Sequence, residues 1–135
     1  MTMSTISKPE DIFRRLLKRY PVLGPCEESI LSAYKAMVGC YEQGGKILIA
    51  GNGGSEADAG HMVGELMKGF LSQRMLPENM KKKLQDSDHM MGGVMAVQLQ
   101  GALPAIDLSA HSALITAFSN DANADLIFAQ QILGY

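Results

Sequence analysis

At 135 residues the chain is long enough for one domain with its own core. Its 12 basic and 14 acidic side chains give a net charge of −2, which argues against a nucleic-acid surface built on bulk charge. No apolar run approaches the roughly 20 residues a membrane span needs, and the spacing of Cys26 and Cys40 matches no common zinc motif.

Residues 1–7 are expected to fray. Lys8, Glu10 and Asp11 stand where an export signal would need apolar residues, so the expected location is the cytoplasm, with reduced thiols. Residues 8–20 predict a short amphipathic helix, with Ser7 as N-cap and Pro9 in the first turn. Ile12, Phe13, Leu16, Leu17 and Tyr20 form its apolar stripe, and Pro21 ends it. Residues 25–43 predict a second helix, with Ile30, Leu31, Tyr34, Met37, Val38 and Tyr41 at helical spacing. Gly44 and Gly45 stop it. Neither helix carries a catalytic-looking cluster. Their stripes read as core, and the first also suits packing against another subunit.

Residues 46–70, KILIAGNGGSEADAGHMVGELMKGF, organise the rest of the chain. Residues 46–50 have the apolar, β-branched character of a strand buried on both faces. Gly51, Gly53 and Gly54 permit positive φ and close approach of a ligand to the backbone. Ser55 is a suitable N-cap, and Glu56 and Asp58 suit a first helical turn. A strand that turns through glycines into a helix exposes N–H groups that favour an anion or a polar sugar. At about 100° per residue, Ala59, Met62, Val63, Leu66, Met67 and Phe70 share one side of that helix. Asp58, His61, Glu65 and Lys68 share the other. His61 and Glu65 meet at i,i+4. That pair suits a divalent metal of the zinc or nickel kind, or Glu65 as a general base, and equally a solvated face with local ion pairs.

The run GNGGS, followed by Asp58, His61 and Glu65 in one register, resembles the sugar-isomerase (SIS) domain, most closely the phosphoheptose isomerases. These convert sedoheptulose 7-phosphate to a heptose 7-phosphate, a step toward heptose precursors. The implied fold is α/β: N-terminal helices, then the first part of a parallel-sheet, doubly wound, flavodoxin-like α/β/α sandwich. One partial domain is expected over residues 1–135, with helices over 8–43 and a strand–helix–strand–helix part over 46–135.

Residues 71–101 are longer than the family pattern and irregular. Within them 77–85 suits a short helix, 86–93 a break, and 94–99 an apolar stretch. The seven methionines from Met62 to Met95 suggest adaptable packing. The segment reads as a surface excursion or, alternatively, a lid, with His89 as a surface histidine. Residues 103–108 predict a second strand with Pro104 near its start. Ser109 is expected to cap a helix over 110–118. Ser119, Asn120 and Asp121 then make a turn, and 124–133 is helical with Gly134 as its stop. Strand, helix, strand, helix calls for a parallel sheet whose ligands bind beyond the strands' carboxyl ends.

The resemblance implies roles for these residues. Asn52, Gly53, Gly54 and Ser55, with Asn120 and Asp121, would hold the sugar. His61 and Glu65 would ligate a divalent metal, expected to be zinc, and Glu65 would act as base in an enediol isomerisation. A sugar phosphate is the implied ligand, sedoheptulose 7-phosphate first among them. A homo-oligomer is implied, a tetramer in proteins of this type, and neither nucleic acid nor membrane is an expected partner. In the family a further strand, a serine-rich phosphate loop, and a glutamine and a histidine on a C-terminal helix follow. None is in this sequence. Three readings therefore stand: an isomerase, a non-catalytic SIS module binding a phosphosugar or a protein, and an oligomerisation fragment.

Overall fold

Proline and charge placement set the first helix. In a computed structural model that describes residues 8–135, α1 spans Pro9–Arg19. Pro9 opens it, Glu10 and Asp11 lie in its first turn, and Lys18 and Arg19 lie in its last. That order matches the helix dipole. The expected fraying of residues 1–7 and the Ser7 cap lie outside the described residues. Pro21 ends α1 but starts a 3-10 stretch over Pro21–Cys26, so α2 begins at Glu27 and runs Glu27–Glu42. Pro25, lacking an N–H, sits inside the tighter stretch rather than at the start of α2. Gly44, at φ +73°, provides the left-handed stop.

The chain divides into two compact units, residues up to Gly44 and Gly45–Tyr135. Within the first, α1 and α2 enclose a cleft of about 530 Å³ lined by Ile12, Phe13, Leu16, Ile30, Leu31 and Tyr34, among others.

The second unit is built on a two-stranded parallel sheet, β1 (Ile47–Ile49) with β2 (Ala105–Asp107). Its register pairs Ile47 with Ala105, Leu48 with Ile106 and Ile49 with Asp107. Both strands are shorter than expected. β1 is half-buried throughout, not buried on both faces, because the sheet is two strands wide. Helix α3 (Gly54–Met67) packs on β2 through the fully buried Ala59, with Val63 and Leu66 half-buried beside it. Met62, Met67 and Phe70, expected on the same side, remain exposed at its margins.

Between α3 and β2 the excursion holds two helices, α4 (Glu78–Ser87) and α5 (Gly92–Gln98). The expected break over 86–93 shrinks to a turn, because Gly92 starts α5 instead of interrupting it. At Gly92 a Cβ would lie 2.3 Å from the Leu84 carbonyl oxygen, so only glycine lets the two helix ends approach so closely. Asp88 organises the turn: its carboxylate accepts from the N–H groups of Met90 and Met91, both at 2.8 Å. These bonds hold its carboxyl below the usual carboxylate range.

Both ends of the excursion meet in a neck. Met75 and Gln100 form an antiparallel bridge, and the Gly101 N–H donates to the Arg74 carbonyl at 2.6 Å. The Arg74 guanidinium donates to Gly101 O at 2.7 Å and to Leu66 O at 2.5 Å, with a longer contact to Glu65 O. It thus sits on the carbonyl-rich C-terminal end of α3, where a cation is favoured. The neck therefore lies at the end of α3 opposite its glycine start. Much of this segment's apolar surface is uncovered: Leu71 is 92 % exposed, and Met75, Met90, Met91 and Val97 are exposed too.

After β2, α6 (Ser112–Phe118) leads through a π turn (Ser119–Asn123) and a 3-10 turn (Ala124–Leu126) into α7 (Ile127–Gly134). Gly134 is the last residue of α7, not a stop beyond it. Leu108 and Gln131, each 2 % exposed, mark the centre of this unit's packing. The Gln131 side-chain amide donates to Leu108 O at 2.8 Å and to Ile127 O, tying α7 to the end of β2. Helices leading into a small parallel sheet agree with the expected α/β class. Among the described residues no helix is long and apolar enough to cross a membrane.

Candidate functional site

The corner between β1 and α3 forms because two of its glycines, Gly51 and Gly53, each meet a backbone demand. At Gly51 a Cβ would sit 2.2 Å from the Ser55 carbonyl oxygen, so the chain can fold back on itself only there. Gly53 adopts φ +58° and ψ −121°, a combination that side chains strongly disfavour. Gly53 is the N-cap, and its carbonyl accepts from the Glu56 N–H at 3.1 Å. The helix thus begins at Gly54, and Ser55 lies inside the first turn rather than capping it. No side chain caps the start of α3; backbone carbonyls close its first turn, Asn52 O accepting from the Ser55 N–H and Gly53 O from the Glu56 N–H, and the positive end of the helix dipole lies beside the corner. Asn52, Gly53, Gly54 and Ser55 are all exposed there.

His61 and Glu65 lie on the solvent face of α3, opposite Ala59 and the sheet. At about 1.5 Å per residue they sit roughly 10 and 16 Å along the axis from Gly54. The imidazole and carboxylate share one face, as their spacing requires. They are two donors, and a zinc site needs four ligands, three of them from protein when catalytic. Among the described residues no cluster of three or more His, Cys, Asp or Glu gathers anywhere.

Asn120 and Asp121 sit in the π turn after α6, both exposed. The Asn120 side-chain amide donates to the Asp121 carboxylate at 2.7 Å, so the two engage each other. Among the described residues no hydrogen bond joins them to the glycine corner.

Two residues outside the expected set shape the corner. Ser109, expected to cap α6, does not: that helix starts at Ser112, with His111 at the cap position and no side-chain bond. The Ser109 hydroxyl instead donates to Gly51 O at 2.9 Å and accepts from Gly51 N–H at 3.2 Å. The Asp107 carboxylate accepts the Ser109 N–H at 2.7 Å. The signal in the sequence was the order Asp107, Leu108, Ser109 at a strand's end. An acidic residue two before a serine favours this local side-chain to backbone bond.

The SIS domain model matches residues 13–90. The phosphoheptose isomerase of Citrifermentans bemidjiense is 33% identical over 109 residues, which is 81% of this chain and 43% of that protein. That of Syntrophotalea carbinolica is 33% identical over 105 residues, 78% of this chain and 40% of the relative. That of Shewanella sp. strain ANA-3 is 37% identical over 106 residues, 78% of this chain and 41% of the relative. The chain therefore spans about two-fifths of the length of the curated relatives it matches.

Proposed function

This chain belongs to the SIS domain family, and from that premise we propose that it carries part of the site of a phosphosugar aldose–ketose isomerase of the sedoheptulose 7-phosphate type. The observation that carries the proposal is the continuous unit of β1, glycine corner and α3. It offers the exposed residues 52–55 at one end of the helix and the His61–Glu65 pair on its solvent face.

In this proposal Asn52, Gly53, Gly54 and Ser55 bind sugar hydroxyls through backbone and side-chain groups, with Asn120 and Asp121 as further donors and acceptors. Glu65 is the base. Its carboxylate takes a proton from the carbon beside the carbonyl and returns it to the neighbouring carbon, through an enediol. The matching proton transfer between the two oxygens is assigned to no residue of this chain. An extended seven-carbon sugar phosphate is comparable in length to the distance from the corner to His61.

His61 and Glu65 have the donor chemistry for a divalent cation such as zinc but not the number of ligands. They are proposed as two of its ligands, with other chains or the substrate completing the set. When bound, such a cation would polarise the sugar carbonyl. A homo-oligomer, a tetramer by resemblance to the family, is part of the same proposal. A cytoplasmic location is proposed with it.

A second reading, a non-catalytic module that binds a phosphosugar or a protein partner, is favoured by one observation. Among the described residues no third His, Cys, Asp or Glu joins the pair on α3 in a group able to hold a metal ion. The test is turnover of sedoheptulose 7-phosphate, with and without added zinc, against a Glu65→Gln control. Turnover that Glu65→Gln abolishes, in a variant that keeps the wild-type fold by circular dichroism, supports the isomerase. Equal turnover in the two proteins removes Glu65 as base. Folded wild-type protein that binds the sugar phosphate without converting it makes the second reading the right one.

A further inference from the structure

We propose that Ser109, itself held by Asp107, is a positioning residue that latches the glycine corner in its ligand-facing shape. The role of the corner rests on the phosphosugar reading above; the latch itself does not. The β1–β2 ladder ends at the pair Ile49–Asp107, and the Leu108 N–H still reaches Ile49 O at 2.8 Å. Two residues further on, where the strands part, Gly51 would lose its ladder partners. The Ser109 hydroxyl replaces them, satisfying both the N–H and the carbonyl of Gly51. It is thus donor and acceptor at once, and Gly51 is half-buried, so leaving these groups unmade would be costly.

The latch is braced from behind. Asp107 Oδ1 accepts the Ser109 N–H, and Asp107 Oδ2 lies so close to α3 that a Cβ on Gly60 would come to 3.4 Å from it. Gly51 is pressed from the other side by the Ser55 backbone, which leaves no room for a Cβ. The corner is therefore clamped between the end of β2 and the first turn of α3. Since α3 has no side-chain cap of its own, its entry angle is set through Gly51.

Two readouts test this. In free protein, Ser109→Ala should raise amide hydrogen exchange at Gly51 about tenfold, because the Gly51 N–H loses its acceptor. Exchange at Ile47, whose N–H donates to Pro104 O at 3.0 Å, should stay unchanged. Ser109→Thr, which keeps a hydroxyl at the same place, should restore protection. Asp107→Ala, which leaves the hydroxyl but frees its backbone, should give an intermediate effect, and it serves as the second variant if Ser109→Ala fails to fold. Gly51 exchange within twofold of wild type in both Ser109→Ala and Asp107→Ala overturns the latch. With sedoheptulose 7-phosphate as probe, Ser109→Ala should weaken binding about tenfold, and the threonine variant should recover it. Unchanged affinity in Ser109→Ala, where the wild type binds, also overturns it. If the wild type does not bind the probe, the phosphosugar reading fails, and the exchange result alone decides the latch.

Discussion

Replacing Arg74 with alanine should unfasten the neck of the excursion. The guanidinium makes two good hydrogen bonds to half-buried surroundings, to Gly101 O at 2.7 Å and Leu66 O at 2.5 Å. Its contact to Glu65 O, at 3.4 Å and exposed, is too weak to count. Bonds from a charged donor contribute about 1.5–3 kcal/mol each, and the lower end applies because water can reach the site. The attraction to the end of α3 adds about 0.3–1 kcal/mol. The expected loss is therefore about 3.5 kcal/mol. Arg74→Lys keeps the charge but not the planar fork, so it should recover about half. The chain has no tryptophan, so urea denaturation is best followed by far-ultraviolet circular dichroism. Limited proteolysis within residues 75–100 gives a local readout. A loss below about 1 kcal/mol in Arg74→Ala, or full recovery with lysine, would refute the assignment of Arg74 as a directional clamp.

Other predictions concern the corner and the excursion turn. Gly53→Ala should cost about 1–3 kcal/mol, because its backbone conformation excludes side chains. Gly54→Ala, with nothing within 4 Å of a new Cβ, should be neutral or slightly stabilising; thermal melts of the two variants compare them directly. The Asp88 carboxyl should titrate below the usual 3.8. Because its folded value is depressed, its stabilisation of the α4–α5 turn is complete above 3.8 and is lost as pH falls through the lower folded value. Amide shifts of Met90 and Met91 followed against pH would show this, and a midpoint at or above 3.8 would contradict it.

The sequence was most legible where one local rule acted alone. The 3.6-residue period and the prolines located α1 and α2 to within two residues. The glycine run located the β1–α3 corner, because a turn in which the backbone approaches itself so closely needs residues without Cβ atoms. It misled where a tertiary partner outbid a local rule. Ser109 has the chemistry of a helix cap, but Gly51 offers it two bonds. Gly92 and Gly93 look like a break until α4 is there to be approached closely. The separate readings of Asn120–Asp121 and of His61–Glu65 came from family likeness more than from spacing. Spacing put His61 beside Glu65, but it carried no information on what else comes to that face. Six of the methionines counted as adaptable packing, Met62, Met67, Met75, Met80, Met90 and Met91, are in fact exposed. Periodicity cannot separate a core face from one that faces outward uncovered.

The neck at Met75 and Gln100 has a topological consequence. Antiparallel partners in a bridge lie only about 5 Å apart, so the chain leaves and returns at nearly one point. Everything beyond that point is an appendix to α3 and β2 rather than part of the path between them. A two-residue hairpin turn in its place would join the stubs without shifting the register of Ile47 on Ala105. The same stubs would accept a foreign domain whose termini lie close together. The excursion can therefore grow, shrink or be exchanged while the path from α3 to β2 that it interrupts in sequence stays in place.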